Sequence, residues 1–157
     1  MFSFYQTDFD GYIRADGCLL FSIIAWACKL TNGVISEKGV YSLIDELHRR
    51  RAIGAERDIS AEGVFVYNHE TCFNRTFDYL QSDICVRYNH RLYMPWEEAR
   101  GKKSWLSSPG WERTGNVIIW QIKTANGNGH FRTPFYDPYK PSPEMADLKS
   151  LRFYQTY

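Results

Sequence analysis

The sequence has almost no surplus charge. Nineteen Lys and Arg stand against 18 Asp and Glu, a formal net charge of +1. The one basic cluster, Arg49-Arg50-Arg51, falls where a helix should end, and cations there complement the helix dipole. A nucleic-acid binder needs a basic face, so nucleic acid is not expected as a partner. Cysteine is sparse as well: Cys18, Cys28, Cys72 and Cys85. Small secreted scaffolds carry denser, paired cysteines, so reduced thiols are expected here. No basic-then-apolar segment opens the chain, which argues against a signal peptide. The longest apolar run, Cys18 to Cys28, is too short to span a bilayer, and no membrane partner is expected. These absences point to a cytoplasmic protein. There is no internal repeat and no low-complexity segment.

What the chain does have is aromatic residues, 17% of 157 positions, with 11 Tyr, 10 Phe and 5 Trp. Aromatics favour strands and large grooves over helical bundles. The length suits one domain, residues 1–157, which would bury roughly two-thirds of its unfolded surface.

Residues 1–17 read as irregular or extended, punctuated by Asp8, Asp10, Gly11, Asp16 and Gly17. Cys18 to Leu30 is apolar on nearly every side, the mark of a helix inside a core. Asn32-Gly33 stops it. Ser36 is a candidate N-cap for a second helix, amphipathic through Val40, Leu43, Ile44 and Leu47. In the middle, 63–67 suits a short strand or a helical turn, His69 to Leu80 a helix, and Ile84 to Tyr88 a strand. Residues 93–114 read as a long surface loop. Its Trp96, Trp105 and Trp111 are candidates to line a substrate groove. Asn116 to Lys123 is a strong strand, Ala125 to Gly129 a turn, His130 to Tyr136 a second strand, and Leu151 to Thr156 a last one. Helices first and strands last suit an α+β domain, with N-terminal helices packed on a C-terminal antiparallel sheet.

A nucleophilic cysteine works as its thiolate, favoured at a helix N-terminus and beside a His. Cys18 opens the apolar helix, with Asp16 as candidate N-cap and Gly17 allowing a tight turn. The Cys18 backbone N–H could then donate to an oxyanion. His130 is the candidate base, fixed on a strand after a Gly-rich turn. Asp137 lies seven residues on. In one straight strand the two side chains would face opposite ways, about 23 Å apart. If Thr133-Pro134 turns the chain, His130 opposes Asp137 with Cβ atoms about 4.5–5.5 Å apart. A wider excursion around Pro134 would serve equally. Asn128 is the alternative residue to orient the His.

Asp-Gly-Cys opening an apolar helix, with a late Gly-His-Phe strand and Tyr-Asp-Pro after it, resembles the papain-like cysteine peptidases. The small bacterial group that includes the double-glycine leader peptidases of bacteriocin exporters is the nearest in flavour. The resemblance implies a papain-like fold, with Cys18 as nucleophile, His130 as base and Asp137 as the orienting acid. That family places an oxyanion Gln six residues before the Cys, where this chain has Tyr12. Gln6, twelve residues upstream, is the oxyanion candidate in its stead, and Arg14 a second.

Read by themselves, Cys28, Cys72 and Cys85 are core residues. A different constellation is His69, Cys72, Cys85 and His90, whose spacings fall within zinc-finger limits in permuted order. The function expected is a cysteine hydrolase, a thiol peptidase or amidase of bacterial or phage type. It would cleave a peptide or isopeptide bond of a peptide or protein substrate through an acyl-enzyme, without a cofactor. One alternative is a peptidoglycan peptide hydrolase of the lysin type. Another is a catalytically silent binding module on the same frame, since fold does not decide function.

Overall fold

A computed structural model describes residues 1–54, 66–88 and 116–157. Among the described residues, a 3-10 turn at Gln6–Asp8 is followed by four helices: α1 (Gly11–Asp16), α2 (Cys18–Thr31), α3 (Glu37–Arg49) and α4 (His69–Tyr79). Four strands follow: β1 (Val86–Tyr88), β2 (Asn116–Thr124), β3 (Gly129–Arg132) and β4 (Met145–Thr156). They form one antiparallel sheet in the order β1-β4-β2-β3. The class is α+β, as the order of helical and strand patterns implies.

α2 is the central helix. Every residue from Leu19 to Cys28 is buried, which explains a sequence with no polar face. Asn32 ends it in the left-handed region at φ 54°, and the Gly33 N–H bonds the Cys28 carbonyl, a helix-closing geometry. The Trp26 indole N–H donates 2.8 Å to the Ile118 carbonyl, tying α2 to β2. α3 starts at Ser36, whose side chain accepts the Gly39 N–H at 3.0 Å. It buries Val40, Leu43, Ile44 and Leu47, the predicted stripe. α4 is capped by the Asn68 side chain on the Thr71 N–H and buries Cys72, Phe73, Thr76 and Phe77.

β2 reads Val-Ile-Ile-Trp-Gln-Ile, without alternation, because both sheet faces are covered. Val117 and Ile119 join the core shared with the helices. Ile118, Trp120 and Ile122 form a second buried cluster with Leu148, Leu151 and Phe153.

Several expectations are corrected. Residues 1–17 are not irregular: they hold the 3-10 turn and α1. The second C-terminal strand stops at Arg132, because the Thr133 side chain turns the chain there. The last strand starts at Met145, not Leu151. A register shift pairs Gln121 with Ser150 but Ile122 with Leu148, so Lys149 is extra. That bulge breaks the period of two on which strand reading depends. Cys85 is exposed rather than core: its backbone pairs with Tyr157 and β1 begins one residue later. The 63–65 part of the middle segment, and the aromatic loop with Trp96, Trp105 and Trp111, lie outside the described residues. Among the described residues no helix is long and apolar enough to cross a membrane.

Candidate functional site

Cys18 is the first residue of α2 and is half-buried. α1 runs directly into it through Gly17, whose N–H bonds the Ile13 carbonyl at 2.9 Å. A Cβ built on Gly17 would stand 2.4 Å from that carbonyl oxygen, so the junction admits only glycine. The helix N-cap is Gly17, with no side-chain cap. Asp16 is not the N-cap expected from the sequence, because it belongs to the preceding helix. Cys18 therefore begins a fourteen-residue helix, at the end whose dipole favours negative charge.

His130 is the second residue of β3 and opposes Ile122 of β2. Its side chain is fully buried. Imidazole Nε2 meets Asp137 Oδ1 at 2.6 Å. The turn joining them is shifted by one residue from a Thr133-Pro134 hairpin: it closes between Thr133 and Tyr136, around Pro134 and Phe135. Thr133 Oγ1 accepts the N–H groups of Phe135 (3.2 Å) and Tyr136 (2.8 Å), and the Thr133 N–H bonds the Tyr136 carbonyl at 2.9 Å. The threonine hydroxyl, not the proline, organises this turn. It returns the chain so that Asp137 faces His130 without a strand ladder between them.

Asp137 is held from every side. Oδ1 also accepts the Tyr139 N–H at 2.8 Å. Oδ2 accepts the Ser142 hydroxyl at 2.6 Å and stands 3.4 Å from an Arg132 guanidinium nitrogen. The Tyr139 ring stacks on His130 at 4.2 Å between centroids and 4° between planes. Sequence reasoning missed Arg132, Tyr139 and Ser142; no spacing rule marks them.

The electrostatics follow from this cage. Burial opposes a charged imidazole, but the hydrogen bond to Asp137 and the Cys18 sulfur outweigh it and raise His130 from 6.5 to about 9. Burial would raise Asp137, yet the His130 hydrogen bond and charge, with Ser142 and the Tyr139 amide, hold its carboxyl below the usual range. His130 Nδ1 is buried and meets no partner at hydrogen-bonding geometry. With Nε2 committed to Asp137, Nδ1 is the nitrogen left to engage Cys18, whose sulfur is near enough to act on the ring. Such a contact is often loose before substrate arrives.

The other candidates fall elsewhere. Asn128 is exposed in the β2–β3 turn, its carbonyl taken by the Thr124 N–H. The side chain that meets the His130 ring is Asp137. Gln6 is buried, and its amide donates to the Arg14 carbonyl at 2.7 Å. The exposed Arg14 guanidinium donates to the Thr7 carbonyl at 2.8 Å. Gln6 therefore ties the N-terminal segment to α1. Of the zinc set, His69 Nδ1 meets the Tyr154 hydroxyl at 2.7 Å and Cys72 points into the core at the Ala52 carbonyl. Cys85 is exposed, and His90 lies outside the described residues. Among the described residues no three such side chains converge.

No family model, no curated protein and no solved structure matches the chain.

Proposed function

We propose that this chain is a cysteine hydrolase on a papain-like frame, acting on a peptide or isopeptide bond. The observation that carries the reading is the buried His130–Asp137 pair at 2.6 Å, with Nδ1 left to a half-buried thiol at a helix N-terminus. Asp137 holds the ring by Nε2, which fixes the orientation of Nδ1. In the reactive state the Cys18 proton already sits on His130 Nδ1, as a thiolate–imidazolium pair that the raised His130 value favours, and the thiolate attacks the substrate carbonyl. The imidazolium returns that proton to the leaving amine, forming a thioester on Cys18. Water, deprotonated by His130, then cleaves the thioester and restores the thiol. No metal or cofactor is needed for these steps.

The protein contains its own controls. Cys85 is exposed, and Cys28 and Cys72 are buried. Iodoacetamide should label Cys18 faster than Cys85 near neutral pH, although Cys18 is the less exposed. His130→Ala should bring Cys18 below Cys85. If Cys18 labels no faster than Cys85 in the wild type, or is indifferent to His130, the reading fails.

One observation favours a catalytically silent binding module instead. One N–H of the Gln6 amide, the only upstream glutamine, is held by the Arg14 carbonyl, which leaves at most one N–H of that side chain for an oxyanion. Fast alkylation combined with no turnover of peptides or thioesters would select this reading.

A further inference from the structure

A cavity of about 480 Å³ lies among the N-terminal segment, the end of α2 and the stretch after β3, and neither Cys18 nor His130 lines it. Its volume falls within the range of about 300–1,000 Å³ usual for small-molecule sites. Ala25, Cys28 and Tyr136 give it buried, largely apolar walls. Burial pushes the Cys28 thiol up to about 11, against the opposing pull of the N-terminal amine, so that wall is uncharged at neutral pH.

Two lysine ammonium groups stand at the rim, beside the N-terminal amine. Lys29 Nζ lies 4.7 Å from the centre of the Phe135 ring, and Lys140 Nζ 5.2 Å from that of Tyr5. Among the described residues neither ammonium pairs with a carboxylate. The lining holds one carboxylate, Asp137, and its oxygens are already taken by His130, Tyr139, Ser142 and Arg132. A pocket of mixed polarity with aromatic side chains in its lining and two lysine ammonium groups free of carboxylate partners at its mouth complements a ligand with an apolar body and an anionic head.

We propose that this cavity binds a small aromatic carboxylate, its ring between the half-buried Tyr5 and Phe135 rings and its carboxylate at the Lys29–Lys140 rim. Aromatic walls suit a planar ring. The proposal is independent of the hydrolase reading, since no part of it uses the Cys18 sulfur.

The test is calorimetric titration of the full chain with cinnamate and, in parallel, with cinnamyl alcohol, which keeps the ring and removes the charge. Cinnamate should bind at one site, roughly tenfold or more tightly than the alcohol. In the double variant Lys29→Gln, Lys140→Gln that preference should vanish, and both lysines are exposed, so the fold should survive. Cys18→Ser should bind cinnamate unchanged. A C-terminal aromatic residue of a peptide carries the same chemistry, so N-acetylphenylalanine is titrated alongside. Whichever of the two acids binds more tightly identifies the source, and both outcomes support the site. Equal affinity for cinnamate and its alcohol, no saturable binding of either acid, or full binding in the double lysine variant overturns the proposal.

Discussion

Raising the pH from 6.5 to about 9 should remove about 3 kcal/mol of folding stability, with His130 as the cause. In the folded chain burial disfavours the imidazolium, but the hydrogen bond to Asp137 and the Cys18 sulfur outweigh it, so the ring keeps its proton to about 9 against 6.5 unfolded. Below the unfolded value both states are protonated, and the contribution is fully present. Between the two values the unfolded chain releases its proton while the folded one retains it. The unfolded state then binds fewer protons, and stability falls as pH rises. Each pH unit of that interval corresponds to about 1.36 kcal/mol, which gives the figure above. Buried thiols add to the loss at the top of this window and beyond it, equally in both proteins compared below: burial raises Cys28 and Cys72 from 9.0, which destabilises the fold as unfolded thiols ionise. Asp137 is shifted the other way, so its contribution is lost only in acid, as pH falls below its ordinary 3.8. The assay is urea unfolding followed by tryptophan fluorescence at intervals across this window, in wild type and in Asp137→Asn. The amide keeps the shape at Nε2 and removes the charge. The wild type should lose stability steadily, and Asp137→Asn should show a much flatter profile. A flat wild-type profile, or an equal slope in both proteins, refutes the electrostatic account of the pair.

Gly17→Ala forces a methyl to within 2.4 Å of the Ile13 carbonyl oxygen; it should cost about 1–3 kcal/mol, read as a lower urea midpoint, and slow alkylation of Cys18 by moving the start of α2. Ser142→Ala removes the 2.6 Å donor to Asp137 Oδ2 and leaves Arg132 at 3.4 Å. It should cost about 1 kcal/mol and reduce the pH dependence of stability without abolishing it. For hydrolysis, the leaving amine needs the His130 proton, so turnover should fall as pH rises through about 9, and Asp137→Asn should move that fall to lower pH.

The sequence disclosed those features that obey a local period. α2 was legible because it is apolar all round, α3 because its stripe recurs every three to four residues, and β2 because the β-branched and aromatic run Val117 to Trp120 suits a strand covered on both faces. The His130–Asp137 contact was legible only as a choice between geometries: a straight strand forbade it and a turn allowed it. The turn that forms is built by Thr133 Oγ1 on two backbone N–H groups, a local bond that period-based reading does not see. The first half of β4 was lost because the bulge at Lys149 shifts its register. Ser142 and Tyr139 reach Asp137 through the path of an irregular segment rich in proline, where no repeat exists to read.

The opening residues, which looked like mere punctuation, are what hold the acid in place. The Tyr136 hydroxyl donates 2.6 Å to the Phe4 carbonyl, the Gln6 N–H 2.9 Å to the Pro138 carbonyl, and the Lys140 N–H 3.3 Å to Thr7 Oγ1. The Tyr5 ring stacks on Tyr136 at 5.8 Å. Residues 4–7 thus grip the chain on both sides of Asp137, while Gln6 links the same stretch to the Arg14 carbonyl in α1, next to the Gly17–Cys18 junction. One short segment therefore braces both the turn that presents the carboxylate and the short helix leading into the thiol. Loosening it should disturb the relation of Cys18 to His130 with little loss from the helical core, because Trp26 and the rest of α2 are anchored separately on β2. Gln6→Ala leaves the Arg14 carbonyl without its side-chain donor at a cost of about 1–3 kcal/mol. If this coupling is real, it should slow Cys18 alkylation by more than Leu47→Ala, a change of equal or greater cost in α3. Equal alkylation rates in the two variants would mean that the segment stabilises the fold without organising the site.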